Sequence, residues 1–389
     1  MFKKISEGLI YRDPDFYSAF PGIANLGNGE LFAVFRRAPR YAGLPGITPE
    51  YVVHLDRNSK LMCLRSHDNG KTWSQPELMY APPLGAAQDG GVMFDGKMLF
   101  VNSFVWGNLP DRIIETLRKE GKDEYIFSAY GGSNVATVLG SFAMRSSDGG
   151  NHWEGPFLPD PIPGYPEVHP GRPLRMHNRA NIIRLDDGRL LYPGQALHYK
   201  PKYSSSVVLY ESRNNGESWQ YLATPAPDMG EAVFEEPSII QTVSGKLVLI
   251  IRTHKNTDGE EYPLPPPDGA KRAMLFRCES TDGGKTWSTP VNIGIHGEPA
   301  ATIRMDDGRI LLTYGCRIAP FGIRGRICNE DLSNAAEAEE FIIRDDAGRA
   351  DCGYPWIASL GDNKYIIIYY LNPPDDGCGG IYATVAEIK

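Results

Sequence analysis

Arginine, carboxylate, histidine and tyrosine side chains recur at corresponding points of a hairpin pattern that repeats along this chain. A hairpin returns to the edge that it left, so residues just before its first strand and just after its second share one rim. The rim positions are Arg36, Arg37, Asp89, Asn102, His177, Arg179, His198, Glu235, Glu236, Arg252, Glu298, Arg317 and Tyr354. Arginine forks suit carboxylate ligands, and isolated surface ion pairs stabilise a fold little. We therefore expect a polar pocket rather than an inert scaffold.

The elements that would position these residues are six copies of one hairpin. Each copy has an apolar strand, a turn with Asp-Gly, Asn-Gly, Ser-Gly or Gly-Asp, and a second apolar strand. Such turns tolerate positive φ and are typical of β-hairpins. The copies start at Phe20, Gln88, Asn178, Glu235, Gly297 and Cys352.

A second motif, Ser-x-Asp-x-Gly-x-x-Trp, follows each of the first four hairpins. Its copies start at Ser66, Ser146, Ser212 and Ser280, and the third has Asn214 in place of Asp. Only a trace without the tryptophan, CNEDLSN from Cys328, follows the fifth hairpin. The Asp side chain can accept backbone N–H bonds in a tight turn, and the Trp can pack on the strands behind it. We interpret the motif as a folding device and not as a catalytic or calcium site.

Two inner and two outer strands around such a turn make one antiparallel blade. The repeats therefore predict an all-β fold, a six-bladed β-propeller of four-stranded antiparallel blades, as a single domain over residues 1–389. The segment DRIIETLRKEG from Asp111 has helical apolar spacing, which predicts a helical insertion around residues 108–122. Few residues follow the sixth hairpin, so we expect the N-terminal ISEGLIYRD to complete the last blade.

The hairpins and the Ser-x-Asp-x-Gly-x-x-Trp motifs resemble the Asp-box (BNR) repeats of the sialidase (neuraminidase) superfamily over essentially the whole chain. In that family a Glu opens the fourth blade, an Arg ends its partner strand, and a Tyr opens the last blade. The matching positions here are Glu236, Arg252 and Tyr354, with Arg326 or Arg324 upstream of the Tyr. The resemblance implies that Tyr354 is the nucleophile, that Glu236 is its base, and that Arg252 and Arg326 hold a substrate carboxylate.

Two family features are altered in this sequence. The family's first blade starts with Arg-Ile-Pro, whereas this chain has AFPGIA from Ala19, so Arg36 or Arg37 would have to substitute. The family's general-acid Asp precedes the first Asp-box, where this chain offers His54 and, two residues on, Asp56.

The function that the resemblance implies is an exo-glycosidase that removes a terminal, acidic sugar. Its substrate-binding residues would include Arg317, Arg36, Arg37, Asp89, His177, Arg179 and Glu298. The altered acid position leaves a uronate-directed polysaccharide or oligosaccharide lyase as an alternative. His54, His177 or His198 and Tyr354 would be its base and acid, and Arg179 would neutralise the uronate carboxylate. A non-catalytic carbohydrate-binding propeller is the second alternative.

The composition of the chain limits the kinds of molecule that it is expected to bind. The net charge of −8 disfavours nucleic acid, and no apolar stretch is long enough for a membrane span, so we expect a carbohydrate partner only. A homo-oligomer is compatible with the sequence.

We expect no cofactor, since P-loop, dinucleotide and HExxH motifs are missing. The six cysteines form no CxxC pair, which indicates free thiols. The N-terminus has no apolar leader, so we expect a cytoplasmic protein, or a secreted or periplasmic one if a leader was removed.

Overall fold

The structure is a computed structural model. It describes residues 1–40, 56, 58–83, 85–122, 127–128, 135–165, 167–169, 172–173, 175–177, 179–198, 204–230, 232–255, 273–373 and 378–389.

The strands follow one another blade by blade. Strand β1 is Phe2–Tyr11, and the first blade contains β2 (Phe16–Gly27), β3 (Glu30–Pro39), β4 (Lys60–Ser66) and β5 (Glu77–Tyr80). The second blade contains β6 (Gly85–Ala87), β7 (Gly91–Phe94), β8 (Leu99–Asn108), β9 (Phe127–Ser128), β10 (Val135–Ser146) and β11 (Glu154–Phe157), with α1 (Asp111–Lys119) after β8. A separate two-stranded sheet pairs β12 (Glu167–His169) with β13 (Arg172–Pro173).

The remaining blades use the rest of the chain. The third contains β14 (Ile183–Arg184), β15 (Leu190–His198), β16 (Ser204–Ser212) and β17 (Gln220–Ala226). The fourth contains β18 (Ala232–Gln241), β19 (Leu247–Lys255), β20 (Met274–Ser280) and β21 (Val291–His296). The fifth contains β22 (Glu298–Arg304), β23 (Ile310–Cys316), β24 (Gly322–Cys328) and β25 (Glu340–Arg344). The sixth contains β26 (Gly353–Gly361), β27 (Lys364–Leu371) and β28 (Gly380–Ile388).

The sheet pairing confirms the expected propeller of antiparallel blades. The first, second, fifth and sixth blades are separate sheets, and the third and fourth belong to one eight-stranded sheet. A single parallel pair, Ser205 with Val233, joins those two blades. Six buried hydrophobic clusters lie between neighbouring blades, including one between the sixth and the first. Burial of apolar surface between blades therefore closes the ring.

The N-terminal strand completes the sixth blade, as the sequence predicts. Strand β1 pairs antiparallel with β28 from Phe2 opposite Ile388 to Tyr11 opposite Ile381. The blade that carries Tyr354 thus contains both ends of the described chain, and its outer edge depends on β1.

The Asp-boxes form the local turns that their sequence predicts. In the first box the Asp68 Oδ1 atom accepts a hydrogen bond from the Thr72 backbone N–H at 2.8 Å, and the Trp73 indole donates to the Gly70 carbonyl at 3.2 Å. The Thr72 backbone N–H is the main cause that lowers the pKa of Asp68 to about 2. Its carboxylate is therefore used within the turn.

Helix α1 falls within the expected insertion and buries Ile114 and Leu117 on its apolar side. In the described part of the chain, no helix combines the length and the apolar character needed to cross a bilayer. The six cysteines are free thiols, as their spacing indicated.

Candidate active site

A one-residue bulge interrupts the inner strand of five blades at the same rim. In the first blade Ala19 pairs with Arg36 but Gly22 pairs with Val34, so one residue is extra. Corresponding shifts separate Ala87 from Gly91, Glu235 from Ser238, Glu298 from Ala300, and Gly353 from Trp356. A bulge turns a side chain away from the normal alternation, and bulges are frequent beside active sites.

Three of the residues at these bulges have a backbone that non-glycine residues rarely adopt. The φ angles of Phe20, Glu236 and Tyr354 are 57°, 50° and 55°. Each of the three precedes a proline, which further restricts its backbone. Left-handed geometry at a bulky residue costs about 1–3 kcal/mol and persists where the surroundings enforce it, often at functional sites.

The side chains of Tyr354, Glu236 and Arg252 form one buried hydrogen-bonded unit. The Tyr354 hydroxyl donates a short hydrogen bond to Glu236 Oε1. The Arg252 Nη1 atom donates to Glu236 Oε2 at 2.6 Å and to the Tyr354 hydroxyl at 3.3 Å. Burial, and then the Glu236 carboxylate, raise the pKa of Tyr354 well above its ordinary value. The phenol is therefore protonated and lies in contact with a base that can take its proton.

Arg252 has further protein partners on its other nitrogens. Its Nη2 atom lies 2.6 Å from Glu298 Oε2 and 3.2 Å from His254 Nε2. Its Nε atom lies 3.7 Å from Glu235 Oε2. Burial acts to lower the pKa of Arg252, but Glu236 and Glu298 outweigh it and raise that pKa well above normal. Arg252 is thus a permanently charged centre that holds three carboxylates in position.

Glu298 connects Arg252 with a second arginine. Its Oε2 atom lies 3.6 Å from Arg317 Nη1, and the side chain is only 2% exposed. Burial acts to raise the pKa of Glu298, but Arg252 and Arg317 hold it below its ordinary value. The Glu298 carboxylate therefore stays ionised between two guanidinium groups.

Asp89 has the opposite electrostatic character. Burial and the nearby Glu236 carboxylate raise its pKa to about 8, against the opposing effect of Arg179, Arg36 and Arg252. A carboxyl group with this pKa is protonated at neutral pH and can donate a proton. The cluster therefore contains a protonated carboxyl group, Asp89, near a second one, Glu236, that accepts hydrogen bonds from Tyr354 and Arg252.

Arg179 packs against the ring of Tyr354. Its Nη2 atom donates to the Pro355 carbonyl at 2.6 Å, and its guanidinium lies 5.2 Å and 4.8 Å from the ring centres of Tyr354 and Trp356. It also borders a cavity of about 150 Å³ that continues between the inner strands past Pro237. Arg179 thus stabilises the position of the Tyr354 ring through a cation–π contact.

A group that the sequence reasoning missed flanks Tyr354 on the other side. The Asp351 carboxylate accepts hydrogen bonds from the hydroxyls of Tyr17 at 2.7 Å and Tyr370 at 2.6 Å. Arg317 donates to the Tyr370 hydroxyl at 3.2 Å. Tyr370 pairs with Gly353 as Arg36 pairs with Ala19. Its place near the end of the partner strand was therefore a signal available in the sequence.

The structure distinguishes the two arginines that could replace the missing family arginine. Arg36 is fully buried, 5.9 Å from the ring centre of Phe20, and its electrostatic neighbours include Asp56 and Asp89. Arg37 instead lies 4.2 Å over Phe16 on the outer side and donates to the Tyr11 hydroxyl. The expected location of Arg37 in the pocket is therefore wrong, because alternation along β3 turns it away from Arg36.

The expected location of Arg326 beside Tyr354 is also wrong. Arg326 donates to Tyr314 at 2.9 Å and lies 3.3 Å from Glu340 on the outer strand of its blade. Arg324 is buried but donates to the carbonyls of Arg344 and Pro320, both at 2.7 Å. The interval in sequence between these arginines and Tyr354 matches that of the sialidase family, but the side chains of Arg324 and Arg326 both make their hydrogen bonds within the fifth blade. Arg317, which follows β23, is the fifth-blade arginine that enters the cluster.

Three other predicted rim residues, His177, His198 and Asn102, contact groups outside the Tyr354–Glu236–Arg252 unit. His177 is buried with its ring 5.8 Å from that of Phe104, and burial lowers its pKa to about 4. His198 contacts Tyr165 and Ser206, each at 2.7 Å, and within the described ranges it makes no hydrogen bond to Tyr354, Glu236 or Arg252. Asn102 donates to the Ala180 carbonyl and helps to hold neighbouring blades together.

Of the two predicted acid candidates, Asp56 is buried and accepts a hydrogen bond from the Asn58 backbone N–H at 2.6 Å. His54 lies outside the described residues. The sequence also missed His254, whose Nδ1 atom lies 3.2 Å from Glu235 Oε2. Among the described residues, no three His, Cys, Asp or Glu side chains are grouped so as to hold a metal ion.

Two family models match the chain. The BNR repeat-like domain matches residues 125–367, and the BNR/Asp-box repeat matches residues 64–75, which contain the first box. No curated protein sequence matches the chain.

Solved structures share the fold. A protein of unknown function from Dyadobacter fermentans is 33% identical, with a TM-score of 0.86 over 100% of this chain and 99% of that one. The NanB sialidase from Streptococcus pneumoniae is 15% identical, with a TM-score of 0.61 over 97% of this chain and 70% of that one. The intramolecular trans-sialidase from Ruminococcus gnavus is 14% identical, with a TM-score of 0.57 over 98% and 97%. With its Asp-boxes and its ring of blades, this chain belongs to the BNR repeat-like family and has the sialidase-superfamily propeller fold.

Proposed function

We propose that this propeller is an exo-acting glycosidase with Tyr354 as nucleophile, Glu236 as its base and Asp89 as the general acid. The observation that carries the proposal is the buried Tyr354–Glu236–Arg252 unit, in which a phenol donates directly to a carboxylate held by a guanidinium. Glycosidases with a tyrosine nucleophile depart from the usual pair of carboxylates, and they need such a base because free tyrosine has a pKa near 10.

In the first step, the Tyr354 oxygen attacks the anomeric carbon while the Tyr354 proton passes to Glu236. The bond from that carbon to the leaving-group oxygen breaks, and Asp89 protonates the oxygen. Arg252 remains charged throughout and keeps the Glu236 carboxylate directed at the phenol.

In the second step, water attacks the anomeric carbon and gives a proton to the Asp89 carboxylate. The bond from the sugar to Tyr354 breaks, and the phenol recovers its proton from Glu236. Two displacements at one carbon retain the anomeric configuration.

The test is a screen of chromogenic aryl glycosides followed by Tyr354→Phe. We expect kcat/KM to fall on the order of 10⁴-fold, because the nucleophile is lost while the ring packing remains. Tyr365→Phe is the matched control, since Tyr365 is also buried in the sixth blade but lies near the start of β27. Its activity should stay near that of the wild type. Near-wild-type turnover by Tyr354→Phe would remove this residue from the mechanism.

The same screen separates the alternatives. A lyase would release an unsaturated product that absorbs in the ultraviolet, whereas a hydrolase incorporates oxygen from water. A carbohydrate-binding propeller would retain sugars without turnover.

A further inference from the structure

Arg252 has its nitrogens directed at protein groups. Glu236 and Tyr354 contact Nη1, and Glu298 and His254 contact Nη2, at distances of 2.6 to 3.3 Å. Glu235 lies 3.7 Å from Nε. A guanidinium offers five N–H donors, and a bidentate grip on a carboxylate requires two of them on one edge. Both terminal nitrogens of Arg252 thus face protein groups, and Nε, which makes no hydrogen bond within the described part of the chain, cannot by itself give a substrate carboxylate a two-point grip.

Glu298 occupies the position between Arg252 and Arg317 where an acidic ligand would be held. Its carboxylate reaches both guanidinium groups through the same oxygen, at 2.6 Å and 3.6 Å. The side chain is fixed by the bulge at the start of β22 and is almost fully buried. A second carboxylate at this point would meet Glu298 at short range in a buried site, where like charges repel strongly.

The numbers of arginines and carboxyl groups in the cluster also argue against a site for an acidic sugar. In the part of the chain that the structure describes, the buried arginines of the cluster are Arg36, Arg179, Arg252 and Arg317. Six carboxyl groups lie among them: Asp56, Asp89, Glu235, Glu236, Glu298 and Asp351. The site is therefore not an uncompensated basic pocket of the kind that attracts anionic sugars.

We infer that Glu298 takes the place of a substrate carboxylate, and that the sugar processed beside Tyr354 is uncharged at the position facing Arg252 and Arg317. This inference rests on the proposed glycosidase function and replaces the acidic sugar expected from the sequence. A neutral tyrosine nucleophile still makes sense under this inference, because the Glu298 carboxylate would repel a negatively charged nucleophile just as a substrate carboxylate would.

The first test compares substrates that differ only by a carboxylate, such as 4-nitrophenyl glucosides with glucuronides and galactosides with galacturonides, together with the aryl sialoside. Among substrates that are turned over, the uncharged member of a pair should have at least a 10-fold higher kcat/KM. Preference of the wild type for a uronide or a sialoside would overturn the inference. Absence of all turnover would instead contradict the proposed function, and the binding test below would still decide the inference.

The second test measures binding by calorimetry with N-acetylneuraminic acid, glucuronic acid and galacturonic acid as probes. Glu298→Gln should bind at least one of these acids at least 10-fold more tightly than the wild type, since the negative charge that repels an acid beside Arg252 and Arg317 is removed. Glu340→Gln is the control, because Glu340 also pairs with a fifth-blade arginine but lies on the outer strand. A folded Glu298→Gln variant with no gain for any of these acids would overturn the inference. If the variant fails to fold, the wild-type comparison of acid and neutral sugars decides.

Discussion

At the scale of single residues, the cluster separates two carboxyl groups by their surroundings. Glu236 is bonded to a permanently charged arginine and to the Tyr354 phenol. Asp89 is buried near that carboxylate, and its pKa is raised to about 8. Two carboxyl groups whose environments differ in this way can act as base and acid in one reaction at neutral pH.

Asp89→Asn tests the acid assignment. The amide cannot donate the required proton, so kcat/KM for glycosides with poor leaving groups should fall about 10²–10⁴-fold. Dinitrophenyl glycosides need little protonation and should be affected much less. The wild-type profile of kcat/KM should decline above a pH of about 8, since Asp89 must be protonated, and the variant should lose this limb. Equal losses for good and poor leaving groups would contradict the assignment.

The same group affects stability in a direction that can be checked by denaturation at several pH values. The native pKa of Asp89 lies above that of the unfolded chain, so the native state binds more protons between pH about 4 and 8. The contribution of Asp89 to the free energy of unfolding therefore decreases as the pH rises through this range. Asp89→Asn should flatten that part of the stability profile.

The sequence predicted Tyr354, Glu236 and Arg252 because each stands beside an easily recognised hairpin. It failed for Arg326 because the spacing along the chain does not reveal which side of a strand a residue faces. Arg326 lies on β24, where Tyr314 and Glu340 bind it. Arg317 follows β23 and reaches back to Glu298, which only the fold could show.

At the scale of elements, the Asp-boxes connect each blade to the preceding one. A Cβ atom added to Gly70 would lie 2.8 Å from Ile366 of the sixth blade, and one added to Gly216 would lie 2.9 Å from Phe100 of the second blade. The box turns therefore need glycine both for positive φ and for close approach. The sequence indicated the first reason but not the second, because the contact crosses between blades.

Gly70→Ala tests this contact against Gly96→Ala. Both glycines have positive φ, of 85° and 92°, but a Cβ atom at Gly96 would meet nothing within 4 Å. Gly96→Ala should cost about 1–2 kcal/mol for the backbone alone. Gly70→Ala should cost about 1–3 kcal/mol more, because the methyl group overpacks the interface with the sixth blade. Chemical denaturation measures the free energy of unfolding of both variants. Equal losses of stability would show that the close approach of Gly70 to the sixth blade is unimportant.

The bulges are the elements that the sequence did not predict. Alternating apolar residues predict regular strands, and nothing in that pattern marks the extra residue between Glu235 and Ser238 or between Gly353 and Trp356. The proline after Glu236 and after Tyr354 was a signal, since proline within a strand favours a bulge.

At the scale of the whole molecule, ring closure brings distant parts of the chain together at one site. Glu236 and Tyr354 are 118 residues apart in sequence and share a hydrogen bond. The number of blades and the pairing of β1 with β28 could be predicted, because repeats and leftover segments are visible in the sequence. The partner of each charged group could not, because it depends on side-chain directions across blades.

In the proposed mechanism, ring closure brings Tyr354 into position to form a bond with the sugar. The direct measurement is mass spectrometry of the enzyme quenched during turnover of a fluorinated aryl glycoside of the sugar found by the screen. Fluorination slows the second displacement and lets the adduct accumulate. We predict a mass increase of one sugar residue on the peptide containing Tyr354, and no increase in Tyr354→Phe. A sugar attached to a peptide through a carboxylate instead, or attached to the Tyr354→Phe variant, would show that Tyr354 is not the nucleophile.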